Sequence, residues 1–142
     1  MTLHLIKLCV GADSVKDQAD WIQKRLAELK RKHKPLEHMH VTRMWPKREA
    51  ELLDGGSLYW VIKGQIAARQ RLLELREVIK NGSPHCALVL DPKLVPTERR
   101  FHRPFQGWRY FDPKNAPRDL TRARGAAMPE ELQVDLVNLG LL

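Results

Sequence analysis

The sequence predicts an α+β fold: a mostly antiparallel curved sheet or small open barrel, with an N-terminal amphipathic helix and a C-terminal helix. Three observations carry that prediction. Short apolar and β-branched runs bounded by Gly or Pro recur along the chain, as strands do. Val15, Ala19, Ile22, Leu26 and Leu29 fall at steps of three and four residues and draw one apolar stripe on a helix. Asn81-Gly82 sits between apolar segments, and this pair tolerates the positive φ that a two-residue hairpin turn needs at both central positions.

Taken in order, Thr2–Val10 is a strand ended by Gly11. Asp13 or Ser14 caps the first helix, whose other face (Lys16, Lys24, Arg25, Lys30 and Arg31) is solvated and which Lys34-Pro35 stops. His38–Trp45 forms a second strand, with Met39, Val41 and Arg43 on one side and His40, Thr42 and Met44 on the other. Pro46 ends it, Lys47–Leu53 makes a short helix, and Asp54-Gly55-Gly56 turns into the strand Ser57–Lys63, closed by Gly64. Residues 65–80 admit two readings. A helical turn at Gln65–Gln70 followed by a strand at Arg71–Ile79 suits the Asn-Gly turn, with Cys86–Leu90 returning antiparallel; a single helix over 66–80 suits Ala68, Leu72, Leu75 and Ile79. Five prolines in 92–118 argue against long regular elements there, apart from a short strand at Gly107–Phe111. Thr121–Ala127 reads as a flexible linker. Pro129, Glu130 and Glu131 open a closing helix with Leu132, Leu136 and Leu139 on one face.

At 142 residues the chain suits a single domain, and 43% hydrophobic with 30% charged residues is ordinary for a soluble protein. Lys7 interrupts the opening apolar run, which has neither the length of a membrane span nor the layout of a signal peptide. Cytoplasmic residence follows, and Cys9 and Cys86, far apart, fit a reducing compartment without structural disulfides. Net charge is +8, and Arg99–Arg124 holds eight Lys/Arg against Asp112 and Asp119. Such an excess serves solubility in many proteins, but its clustering favours an acidic partner, nucleic acid first.

Residues 99–110 read RRFHRPFQGWRY, and a second stretch of the same character, HVTRMWPKR, covers 40–48. A guanidinium can fork onto a phosphate, and an aromatic face can take a stacked base. The expected interface uses Arg43, Lys47, Arg48, Arg69, Arg71, Arg99, Arg100, Arg103 and Arg109 on phosphates and Trp45, Tyr59 and Trp108 as stacking surfaces, RNA before DNA. Trp21 and Trp60 are assigned to packing. Arg69-Gln70-Arg71 reads as part of a polar site or of a charge network with Glu74 and Glu77.

HVTRMWPKR, GGSLYWVIKG, AARQR, LVLDP and FQGWRYF, in this order, resemble the signature of a family of small alphaproteobacterial proteins catalogued as a domain of unknown function. The resemblance implies a bacterial cytoplasmic protein and transfers no catalytic residue. More loosely, a short helix, Gly-Gly, a YWVIKG strand and an Arg-rich hairpin are similar to the small mixed barrels of PUA-like and ASCH-like RNA-binding domains.

Rival chemistries are thinner. His38 and His40 form an H-x-H pair with His85, Cys86 and Cys9 elsewhere, but no CxxC or HExxH frame supports a metal. His40-Val-Thr42 resembles the H-x-T motif of two-histidine phosphoesterases, whose second copy is missing here. His40 or His102 beside arginines could still serve acid–base cleavage of a phosphodiester. A small-ligand or protein-interaction module, its arginines held in salt bridges, is a further alternative. Asp54-Gly-Gly-Ser57 precedes a strand and so lacks the helix N-terminus of a phosphate loop. Cys86, on an apolar strand, reads as inert core, and no cofactor is implied.

Overall fold

A computed structural model describes residues 1–120 and 128–139. The elements are β1 (His4–Leu8), α1 (Val15–Arg31), β2 (His38–Thr42), α2 (Glu49–Leu52), β3 (Ser57–Ile62), β4 (Gln65–Lys80), β5 (Ser83–Leu90), β6 (Val95–Phe101), β7 (Trp108–Phe111), a 3₁₀ turn at Pro113–Asn115, and α3 (Glu130–Asn138). The expected α+β class is what forms: an open sheet of seven strands in the order β2-β5-β4-β3-β1-β7, with β6 also paired to β4. Every ladder is antiparallel except β1 with β3, which the crossover through α1, β2 and α2 makes parallel. The proposed linker at 121–127 lies outside the described residues.

β4 organises the sheet. Its first half lies between β3 and β6, and its second half pairs with β5, with Leu72 opposite Leu90 and Lys80 opposite Ser83. Register shifts near Ala68 and Leu72 let one strand of 16 residues bend from one pairing set to the other. Asn81 and Gly82 turn with φ of 53° and 77°, so the hairpin forms as expected. The helical turn at Gln65–Gln70 does not. That segment is covered on both edges and both faces, so it carries no polar alternation to betray a strand.

Two further expectations fail for comparable reasons. β6 occupies part of the proline-rich stretch: it pairs with β4 along one edge and bridges residues 118–120 along the other, where the Pro96 carbonyl accepts from the Leu120 N–H at 2.9 Å, so the proline takes part through its acceptor without supplying an N–H. α3 forms, but Leu132 and Leu139 are exposed while Gln133 is buried. Gln65 holds the helix through polar contacts, donating to Asn138 Oδ1 at 2.8 Å, so the leucine stripe does not choose its buried side.

Successive side chains of β1 and β3 feed opposite faces, and both faces are buried. Leu5, Leu58, Trp60, Leu72, Leu88 and Leu90 pack on one side. Ile6, Tyr59, Val61, Ile66, Phe105 and Phe111 pack on the other, under the β6–β7 connection. Trp60 is buried as expected, its indole N–H donating to Gln70 Oε1 at 2.9 Å, and Cys86 is core. Trp21 is not packed away: it is 51% exposed on α1.

Candidate nucleic-acid interface

β2 and β7 end the strand order, and the chain following β2 runs back to β7. Side chains, not a ladder, close that seam. Trp108 Nε1–H donates to the Met44 carbonyl at 3.0 Å, and the Tyr110 hydroxyl accepts from the Lys47 and Arg48 backbone N–H groups at 2.8 and 3.3 Å. The Arg48 guanidinium lies 5.6 Å from the Tyr110 ring centroid. The two basic–aromatic stretches of the sequence therefore meet where Arg43–Arg48 faces Trp108–Tyr110. Arg43, Lys47 and Met44 are exposed there, and Trp45 is 41% exposed. Arg48 pairs with Glu51 at the surface, Nε to Oε1 at 3.0 Å. Among the described residues Arg43 and the Lys47 ammonium have no carboxylate partner.

The remaining expected contacts lie elsewhere. Alternation along β7 sends Arg109 to the opposite face from Trp108, where its guanidinium covers Phe105 at 4.9 Å. Arg103 is exposed on the same connection. Arg69 forks onto Asp119 with both contacts at 2.7 Å and also donates to Ser57 Oγ. Asp119, not Glu74 or Glu77, is its partner; Glu74 pairs with Arg76, and Arg71 is exposed. Tyr59 is buried against His4 and Phe111. The Arg99 side chain is 4% exposed, donating to Gln65 and paired with Glu130, whose carboxylate also accepts from the Val15 N–H at the start of α1. Arg100 donates to the Asn115 carbonyl. Arg69, Arg99 and Arg100 thus clasp the 92–120 segment and α3 onto the sheet.

A cavity of about 240 Å³ lies beside the seam, between α1, the end of β1 and β2. Trp21, His38, His40 and Trp60 supply ring walls, with His38 edge-on to Trp21 and His40 edge-on to Trp60 at centroid distances of 5.7 and 5.5 Å. Burial, reinforced by Arg25, pushes His38 down to about 4; burial, reinforced by Lys7, His38 and Lys80, does the same to His40. Both imidazoles are neutral at pH 7. Gln18 and His38 are 4% and 3% exposed, and among the described residues Gln18 Oε1 and His38 Nδ1 have no hydrogen-bond partner. Among the described residues no three His, Cys, Asp or Glu side chains are grouped closely enough to hold a metal. His102 lies away from His40, bonded through Nδ1 to the Arg103 carbonyl and resting edge-on against Phe105.

Tyr110, Lys7 and Gln18 escape the sequence reading. Tyr110 belongs to the FQGWRYF block and reads there as one more aromatic residue. Gln18 carried a usable signal: it stands three residues after Val15 and four before Ile22, a polar group on the apolar stripe of α1. The model of a family described as "Protein of unknown function (DUF1489)" matches residues 5–142. No curated protein and no solved structure matches the chain.

Proposed function

This chain belongs to the DUF1489 family of proteins of unknown function, and we propose that it binds nucleic acid, RNA before DNA, along the seam between β2 and β7. The observation that carries the reading is the meeting of the two basic–aromatic stretches across that seam, through Trp108 and Tyr110. Arg43 and Lys47 supply positive charge to a phosphate backbone, while Arg48, already paired with Glu51, lies beside the Tyr110 ring. Trp45 and the exposed edge of Trp108 give flat surfaces for unstacked bases, which single strands and RNA loops offer more readily than duplex DNA. Arg109 and Arg103 extend positive charge around the sheet edge. The clasping arginines Arg69 and Arg99 are left out of the phosphate contacts, because each already neutralises a carboxylate.

Binding of a single-stranded oligoribonucleotide, measured by fluorescence anisotropy across a salt series, tests this. Arg43→Glu with Lys47→Glu is expected to weaken binding at least tenfold and to flatten its salt dependence, since two fewer counterions are released. Arg71→Gln is expected to change affinity less than threefold. Undetectable binding at low salt, or equal losses in both variants, defeats the reading. No observation favours phosphodiester cleavage: His40 faces Trp60 inside the cavity, and His102 is on a separate segment.

A further inference from the structure

We infer that the cavity beneath α1 takes one nucleobase, held flat between aromatic walls and hydrogen-bonded by Gln18 and His38. Three features of the cavity lead there. Its ring walls, Trp21, His38, His40 and Trp60, suit a planar group, and its volume of about 240 Å³ falls just below the ~300–1,000 Å³ of sites for drug-sized ligands, as expected for a single heterocycle. Its polar groups are unspent: Gln18 Oε1 is a buried acceptor and His38 Nδ1 a buried ring nitrogen, and leaving such groups without partners destabilises a fold. The edge of a nucleobase carries an N–H donor and a ring acceptor side by side, which is what a carboxamide oxygen and a neutral imidazole can pair with. Among the described residues no Asp or Glu lines the cavity, while Lys7 does, and Arg25 stands over the Trp21 ring at 5.3 Å. A cationic guest is therefore disfavoured, and a phosphate attached to the guest is matched.

The inference rests on the strand-binding reading for its ligand class. Lys7, at the cavity, is the register partner of Trp108, at the seam, so a base turned out of a strand on the seam has the cavity beside it. It goes further by naming a subsite for one base and two residues that read its edge.

Quenching of tryptophan fluorescence, with Trp21 and Trp60 as reporters, can be titrated with each of the four ribonucleoside 5′-monophosphates, and with ribose 5-phosphate as the base-free control. At least one monophosphate is expected to quench saturably, and at least tenfold more tightly than ribose 5-phosphate. Gln18→Leu and His38→Phe are each expected to weaken that binding about tenfold or more. Gln18→Leu should also raise Tm, because it removes a buried unpartnered polar atom. A protein that binds oligoribonucleotide but prefers no monophosphate over ribose 5-phosphate overturns the subsite and spares the strand reading; one that binds neither overturns both. Gln18→Leu binding like the wild type also overturns it. Should a variant fail to fold, the wild-type comparison of base against no base still decides.

Discussion

At Arg69 and Arg99 the guanidinium meets a carboxylate delivered from a distant segment, Asp119 and Glu130, whereas none among the described residues reaches Arg43. All three look alike in the sequence. What separates them is pairing across tens of residues, which local pattern does not encode, so the arginine-rich composition was legible and the division of labour was not. The histidines carry the sharper consequence. His38 and His40 titrate near 4 when folded and near 6.5 when unfolded, so between those values the unfolded chain binds more protons. Stability is then complete above about pH 6.5 and falls as pH drops toward 4. Urea unfolding across that range is expected to show this fall in the wild type and a shallower one in His38→Phe; equal slopes would remove burial of His38 as the cause.

Among the elements, β3, β5 and the β4–β5 hairpin were readable because short apolar runs and an Asn-Gly turn act locally. The start of β4 was not, since a strand covered on both faces shows no alternation. Gly56 illustrates the same limit. It reads as half of a Gly-Gly turn, yet a Cβ placed there would overlap the carbonyl oxygens of Leu3 and Leu52. The loop after α2 and the residue entering β1 close on bare backbone, with Leu3 N–H donating to Glu51 O at 3.1 Å and Gly56 N–H to Leu52 O at 3.0 Å. Gly56→Ala is therefore expected to cost about 3 kcal/mol or more, near the top of the range for single substitutions. Gly55→Ala meets no atom of the described residues within 4 Å, and its cost should come from the positive φ of 79°, about 1 kcal/mol. Denaturant melts of the two variants check the order; equal losses would show that close approach is not the constraint.

For the molecule as a whole, the open sheet leaves two end strands whose seam is sewn by Trp108 and Tyr110, and charge gathers at that seam. The sequence announced a basic, aromatic protein but spread the expected contacts over both faces of the sheet. Folding sorts them: Arg43–Arg48 with Trp108 on the seam, Arg69 and Arg99 in internal clasps, Arg109 on the far face. No described helix is long and apolar enough to cross a membrane. Ultraviolet crosslinking of a bound oligoribonucleotide, followed by peptide mapping, tests the seam most directly. Crosslinks concentrated at Trp45 and Trp108 are the predicted result. Crosslinks concentrated on the β6 segment around Phe101, with the seam unmarked, would contradict the account.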